Sequence, residues 1–176
     1  MIAGLLLAAG AGRRMGMPKA LVEDWLVRSI EVLREGGCDD VLVVLGAAAD
    51  EARARLPEGQ RAVVAEDWDE GMGASLRVGL AALEPDAEAA VVHLVDLPDV
   101  GADVVARVIA AGSTGGLARA AYAGVPGHPV LIGRDHWAGV IETAVGDQGA
   151  RSYLKTHDVR LVECGDLAGG NDVDRR

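Results

Sequence analysis

Between Leu7 and Lys19 the sequence reads LAAGAGRRMGMPK, setting glycines and cations directly behind an apolar run. Residues of these types at this spacing suit a polyphosphate. Gly10, Gly12 and Gly16 carry no Cβ, so the chain can turn tightly and bring backbone N–H groups against a ligand. Arg14 and Lys19 add fixed charge, while Arg13 either joins them or points to solvent. The chain has 176 residues and a formal net charge of -10, so an anion meets long-range repulsion unless a local cationic cluster overcomes it. The plain alternative is a glycine-rich turn with solvated arginines. The apolar strand before the loop and the Pro18-Lys19 pair closing it favour phosphate.

A second group of candidates comes from later loops. The apolar run Ala90 to Val95 ends in Asp96-Leu97-Pro98-Asp99. If this strand runs parallel to the first, Asp96 emerges on the same sheet edge as Lys19, where a carboxylate can hold Mg²⁺ against bound phosphates. Taken alone, Asp96 reads as a turn former, and Asp99 as a cap for a helix starting near Ala102. The segment Trp68 to Ser75 follows the third strand and also borders this edge. Its glycines let the chain pass close to a flat base, and Ser75 either contacts base or ribose or caps a helix. His128, in Gly127-His128-Pro129, either faces an acceptor or makes a structural hydrogen bond. Arg151, closing Gly146 to Arg151, is placed to reach an anionic acceptor. Asp172 and Asp174 either complete a metal site with Asp96 or belong to a frayed acidic tail. His93, between Val92 and Leu94, reads as a core histidine.

These residues need a scaffold, and the apolar patterning supplies it. Strands are expected at Ile2 to Ala8, Val41 to Gly46, Ala62 to Ala65, Ala90 to Val95, Leu117 to Tyr122, Pro129 to Gly133 and Val159 to Cys164. Several are too continuously apolar for a half-wet sheet, which points to strands covered on both faces. Helical spacing recurs between them. Leu26, Ile30 and Leu33 define a helix that Asp24 can cap, and others are expected at Glu51 to Leu56, Ala74 to Leu83, Ala102 to Ala111, Arg134 to Val145 and Gly149 to Thr156. The alternation predicts an α/β fold with a largely parallel sheet. Ala123 to Gly127 reads as a surface turn, and the chain from Gly169 onward as poorly anchored.

Composition bounds the possibilities further. Hydrophobic residues make up 50% of the chain and aromatics only 3%, with no Phe, so the core must be aliphatic and closely layered. The length suits one domain, residues 1–176. A sequence pI of 4.8 argues against a broad nucleic-acid-binding face. No apolar segment approaches the ~18 residues that span a bilayer, and Ile2 to Ala9 lacks the basic flank of a secretory signal. Cys38 and Cys164 are expected to be reduced, in a cytoplasmic protein.

Together these motifs resemble the molybdenum cofactor nucleotidyltransferases, and most closely the molybdopterin cytidylyltransferases. The similarity rests on LAAG…RMG-x-PK at Leu7 to Lys19, GMGASLRVGL at Gly71 to Leu80, DLPD at Asp96 to Asp99, GHPVL at Gly127 to Leu131, GDQGAR at Gly146 to Arg151 and DVD at Asp172 to Asp174. The resemblance implies a single-domain three-layer αβα nucleotidyltransferase fold, Rossmann-like, with a mostly parallel sheet. It implies that Gly10, Gly12, Arg14 and Lys19 bind nucleotide phosphates, that Ala8, Ala9 and Ser75 lie near the base, and that Asp96 and Asp174 hold Mg²⁺. The implied reaction is transfer of CMP from CTP to a phosphorylated pterin, with transient contact to a molybdoenzyme or its chaperone. Guanylyl relatives tend to show LAGG and a DK pair, so LAAG and Pro18-Lys19 favour CTP over GTP.

The chain also departs from that pattern: Lys19 to Trp25 is several residues shorter than the corresponding segment of its relatives, and the family's terminal motif usually runs on beyond the point where this sequence ends. An NAD(P)H-dependent oxidoreductase is the rival reading, because nicotine blue oxidoreductases resemble the same scaffold. Against it, the third glycine is displaced to Gly16, and Leu45-Gly46-Ala47 offers no acidic residue for a ribose.

Overall fold

Runs of Val, Leu, Ile and Ala form the seven strands of one sheet in the computed structural model, which describes residues 1–174. The strands are β1 (Ile2–Ala8), β2 (Asp40–Leu45), β3 (Ala62–Val64), β4 (Ala89–Leu94), β5 (Leu117–Tyr122), β6 (Val125–Gly133) and β7 (Arg160–Glu163). Their order across the sheet is β3-β2-β1-β4-β6-β5-β7. Only β6 runs against the others: it pairs antiparallel with both β4 and β5, whereas the remaining pairs are parallel. The chain winds outward from β1 to β2 and β3, then returns to place β4 on the other side of β1. The loops leaving β1 and β4 therefore meet at a switch point, where open α/β sheets bind ligands.

Six helices cover the two faces: α1 (Trp25–Glu35), α2 (Ala49–Ala54), α3 (Met72–Ala81), α4 (Ala102–Ala111), α5 (Trp137–Thr143) and α6 (Arg151–Lys155). Because side chains alternate along a strand, β1 sends Leu6 and Ala8 to one core and Leu5 and Leu7 to the other. The first core includes Leu26, Ile30 and Leu33 of α1 with Val104, Val105 and Val108 of α4. The second includes Leu76 and Leu80 of α3 with Trp137 and Val140 of α5. This is the expected three-layer arrangement.

Several local expectations need correction. Asp24 precedes α1 but makes no side-chain cap. The turn expected over Ala123 to Gly127 is only two residues long: Ala123 and Gly124 both have positive φ, and Tyr122 pairs directly with Val125. Such a turn matches the twist of its strands, so β6 begins four residues earlier than Pro129. The tail is tied down. Asp99 caps nothing and instead accepts hydrogen bonds from the Gly169 and Gly170 amides, while the Val173 amide donates to the Asp96 carbonyl. Arg175 and Arg176 lie outside the described residues.

His93, on β4, is fully buried, and its Nδ1 has no hydrogen-bond partner among the described residues. Burial pushes its pKa down to about 4. As pH falls from ~6.5, the unfolded chain takes up a proton that the folded chain refuses, so stability declines until about pH 4. Between pH 7 and pH 5 this group alone removes about 2 kcal/mol. Urea midpoints at the two pH values should show His93→Leu losing that much less than the native chain. An equal loss in both would assign the acid sensitivity to other groups.

Candidate active site

The loop after β1 is held by its own hydrogen bonds. The amides of Met15 and Gly16 both donate to the Gly12 carbonyl, each at 3.0 Å. Gly12 has φ +61, and a Cβ placed there would lie 2.0 Å from the Met17 carbonyl oxygen, so only glycine fits this corner. Gly16 also has positive φ, in open space, whereas Gly10 has neither positive φ nor a neighbour within 4 Å. The amides from Gly10 to Arg14 donate to no acceptor among the described residues, which leaves them available to an anion. A single 3-10 turn, Lys19–Leu21, then leads toward α1. This turn fixes the backbone at Lys19.

Lys19 and Asp96 face each other across the switch point. The Lys19 Nζ donates to Asp96 Oδ2 and to Asp174 Oδ1, both at 2.6 Å, and Arg14 approaches Asp174 at 3.5 Å. Burial opposes the lysine's charge, yet its hydrogen bonds to Asp174 and Asp96 outweigh it and hold the pKa above the ordinary value. Asp96 is buried, which raises its pKa against the pull of Lys19. Asp174 is more exposed, and the hydrogen bond from Lys19 lowers its pKa. Oxygen atoms of Asp96, Asp172 and Asp174 lie within 4.8 Å of one another. Such an all-oxygen, carboxylate-rich group fits a hard divalent cation that completes its shell with water and phosphate oxygens.

These residues border a cleft of about 430 Å³, lined by Ala8, Ala9 and the loop from Gly10 to Arg14 on one side and by Trp68, Met72 and Ser75 on the other. Trp68 is packed against the strand end: a Cβ on Gly46 would lie 2.6 Å from Trp68 Cβ and 2.8 Å from Ala9 Cβ. Ser75 is not a cap. Helix α3 begins at Met72 after Gly71, and Ser75 sits a turn inside it, buried against the cleft. His128 and Arg151 are elsewhere, in a second cavity that shares Leu7, Met72 and Asp147 with the first. The expected site therefore divides into two adjoining compartments.

A glycine loop, a lysine joining two carboxylates and a cleft thus lie together at the switch point of an αβα sheet. The chain belongs to the family of the MobA-like NTP transferase domain, whose model matches residues 4–161. Nicotine blue oxidoreductase of Paenarthrobacter nicotinovorans is 39% identical over 193 residues, covering 98% of this chain and 92% of the relative. The structure of Rv0371c from Mycobacterium tuberculosis H37Rv is 32% identical with a TM-score of 0.85, covering 99% of this chain and 93% of that one. The same protein in complex with manganese is 31% identical, with a TM-score of 0.80 over 98% and 93% of the two chains. Among the described residues, no helix is long and apolar enough to cross a membrane.

Three charged lining residues escaped the sequence reading: Asp147, Arg119 and Lys155, the last on α6. Asp147 lies between the compartments, and its turn was singled out only for Arg151. Arg119 projects from β5 into the second cavity, and the only signal was one charged residue inside the apolar strand LARAAY.

Proposed function

We propose that this nucleotidyltransferase moves CMP from CTP to the terminal phosphate of molybdopterin, releasing pyrophosphate. The observation that carries the reading is the Lys19 bridge between Asp96 and Asp174, set directly against the glycine loop. Gly10, Gly12, Arg14 and Lys19 gather the triphosphate, and Ala8, Ala9 and Ser75 meet the base. The Ala9 methyl, backed by Trp68, narrows the space a purine would need, which supports CTP over GTP. Asp96 and Asp174, with Asp172 beside them, hold the metal. That metal is Mg²⁺ in this reading, and it would neutralise charge building on the phosphates. A manganese complex of the Mycobacterium tuberculosis relative supports a divalent ion.

No general base is needed. A phosphate monoester has a second pKa of ~6 and is mostly dianionic near neutral pH, so the difficulty is repulsion and alignment. An oxygen of the acceptor phosphate bonds to the α-phosphorus as the bond to the bridging β-phosphate oxygen breaks. Pyrophosphate leaves with that electron pair. Lys19 and Arg14 counter the negative charge gathered along this line. His128 and Arg151 face the acceptor from the second cavity.

The 39% identity to nicotine blue oxidoreductase favours a second reading, an NAD(P)H-dependent oxidoreductase. One experiment separates the two. Purified protein with Mg²⁺ and molybdopterin should release pyrophosphate with CTP, more slowly with GTP, and not without acceptor. Pyrophosphate absent in every mixture, with NADH absorbance lost on adding candidate acceptors, would replace this reading by the oxidoreductase.

A further inference from the structure

The second cavity is cationic although the protein is strongly acidic. It encloses about 690 Å³, and its charged lining consists of Arg119, Arg151 and Lys155 against the single carboxylate of Asp147. Its floor is aliphatic, built from side chains such as Leu76, Val92, Val130 and Ile132.

Arg119 is the fixed element of this lining. It is half-buried on β5, and its Nε and Nη2 both donate to the Gly127 carbonyl, at 3.2 and 3.1 Å. The guanidinium plane is thereby oriented, next to the register shift between Arg119 and Ala121. No carboxylate pairs with it among the described residues. Burial and the charge of Arg151 hold its pKa below the ordinary arginine value. His128 adds no charge to the cavity, because burial and Arg119 push its pKa down to about 3. A fixed guanidinium lacking a counter-ion, beside a second guanidinium and an ammonium, is an arrangement completed by an anion.

We infer that Arg119 and Arg151 form the subsite for a phosphate monoester dianion, whose carbon body lies on the aliphatic floor of the second cavity. Three cations against one carboxylate leave an excess of two charges, which matches a dianion. Guanidinium groups also suit phosphate oxygens through paired, charge-assisted hydrogen bonds. Leu7, Met72 and Asp147 line both compartments, so a phosphate here enters beside the nucleotide cleft. The inference rests on the reading proposed above for the reaction this phosphate undergoes, and adds Arg119 as a residue that binds it.

Phenyl phosphate is a sufficient probe, with phenol as its uncharged control, titrated calorimetrically into the whole chain. Saturable binding of phenyl phosphate but not phenol is expected, and Arg119→Gln and Arg151→Gln should each weaken it about tenfold. Arg151 is exposed at the start of α6, so its replacement tests the subsite even if Arg119→Gln disturbs the Gly127 strand. Lys19→Met should bind the probe as the native chain does. No binding by the native chain, equal binding in both arginine variants, or a loss confined to Lys19→Met overturns the subsite. Thermal shifts with CTP, measured on the same samples, report the nucleotide cleft separately. Their absence alongside intact probe binding would count against nucleotidyl transfer and leave the anion subsite in place.

Discussion

Asp96→Asn is expected to lower turnover by about 10²-fold to 10³-fold at saturating CTP and Mg²⁺, the range found for losing one preorganised charge stabiliser. The substitution keeps the shape of the side chain and removes its charge. Asp96 is the most buried of the three clustered carboxylates and accepts one of the two hydrogen bonds that orient the Lys19 ammonium. Losing that charge would take away one of the carboxylates proposed to hold the metal and free Lys19 to swing toward Asp174. Folding should survive, because a buried carboxylate is itself costly and Asn restores a neutral polar group. Asp174→Asn should cost less, about tenfold, since this carboxylate is more exposed and Asp172 belongs to the same carboxylate cluster. Pyrophosphate release at several Mg²⁺ concentrations checks both variants, with thermal midpoints as the folding control. Near-native turnover of Asp96→Asn would remove Asp96 from the metal site.

The elements that carry this machinery were legible because their signals are local. β1 is a continuous apolar run stopped by glycine, and α4 is a periodic stretch between glycines, so both appear with the expected bounds. The meeting of Lys19 with Asp96 was also foreseeable, since two parallel strands that exit on one edge bring their loops together. The anchoring of the tail is not legible, for the opposite reason. Its order comes from partners far away in sequence, with Asp99 holding Gly169 and Lys19 holding Asp174 across 155 residues. No propensity of a glycine-rich acidic segment reports such contacts. β6 was read short because Gly127 and Pro129 look like turn residues, while the true turn depends on positive φ at Ala123, a conformation alanine rarely adopts. Ser75 could not be assigned until the start of α3 was known, since one turn of helix separates a cap from a cleft-facing hydroxyl.

The loop after β1 offers the second large effect, and three glycines in it separate three physical causes. In Gly12→Ala the new methyl would sit 2.0 Å from the Met17 carbonyl at a φ of +61, so the turn cannot close as it stands. The left-handed conformation alone costs about 1–2 kcal/mol, and relieving the clash must move Met17 and with it Lys19. Nucleotide binding should therefore collapse. A ligand at 100 times its Kd stabilises a folded chain by ~2.7 kcal/mol, which here is a thermal shift of roughly 5–10 °C with CTP and Mg²⁺. In Gly12→Ala that shift should vanish, with kcat/KM down by at least ~10²-fold, while the core keeps its cooperative melt. Gly16→Ala meets only the backbone strain, in open space, and should retain most of the CTP shift. Gly10→Ala meets neither strain nor neighbour, so the free protein should melt as the native chain does. If a triphosphate presses against this backbone, Gly10→Ala must nevertheless bind CTP more weakly, because the methyl would stand where a phosphate oxygen approaches the amide. Unchanged CTP binding in Gly10→Ala would place the nucleotide away from this loop, whatever Gly12→Ala does.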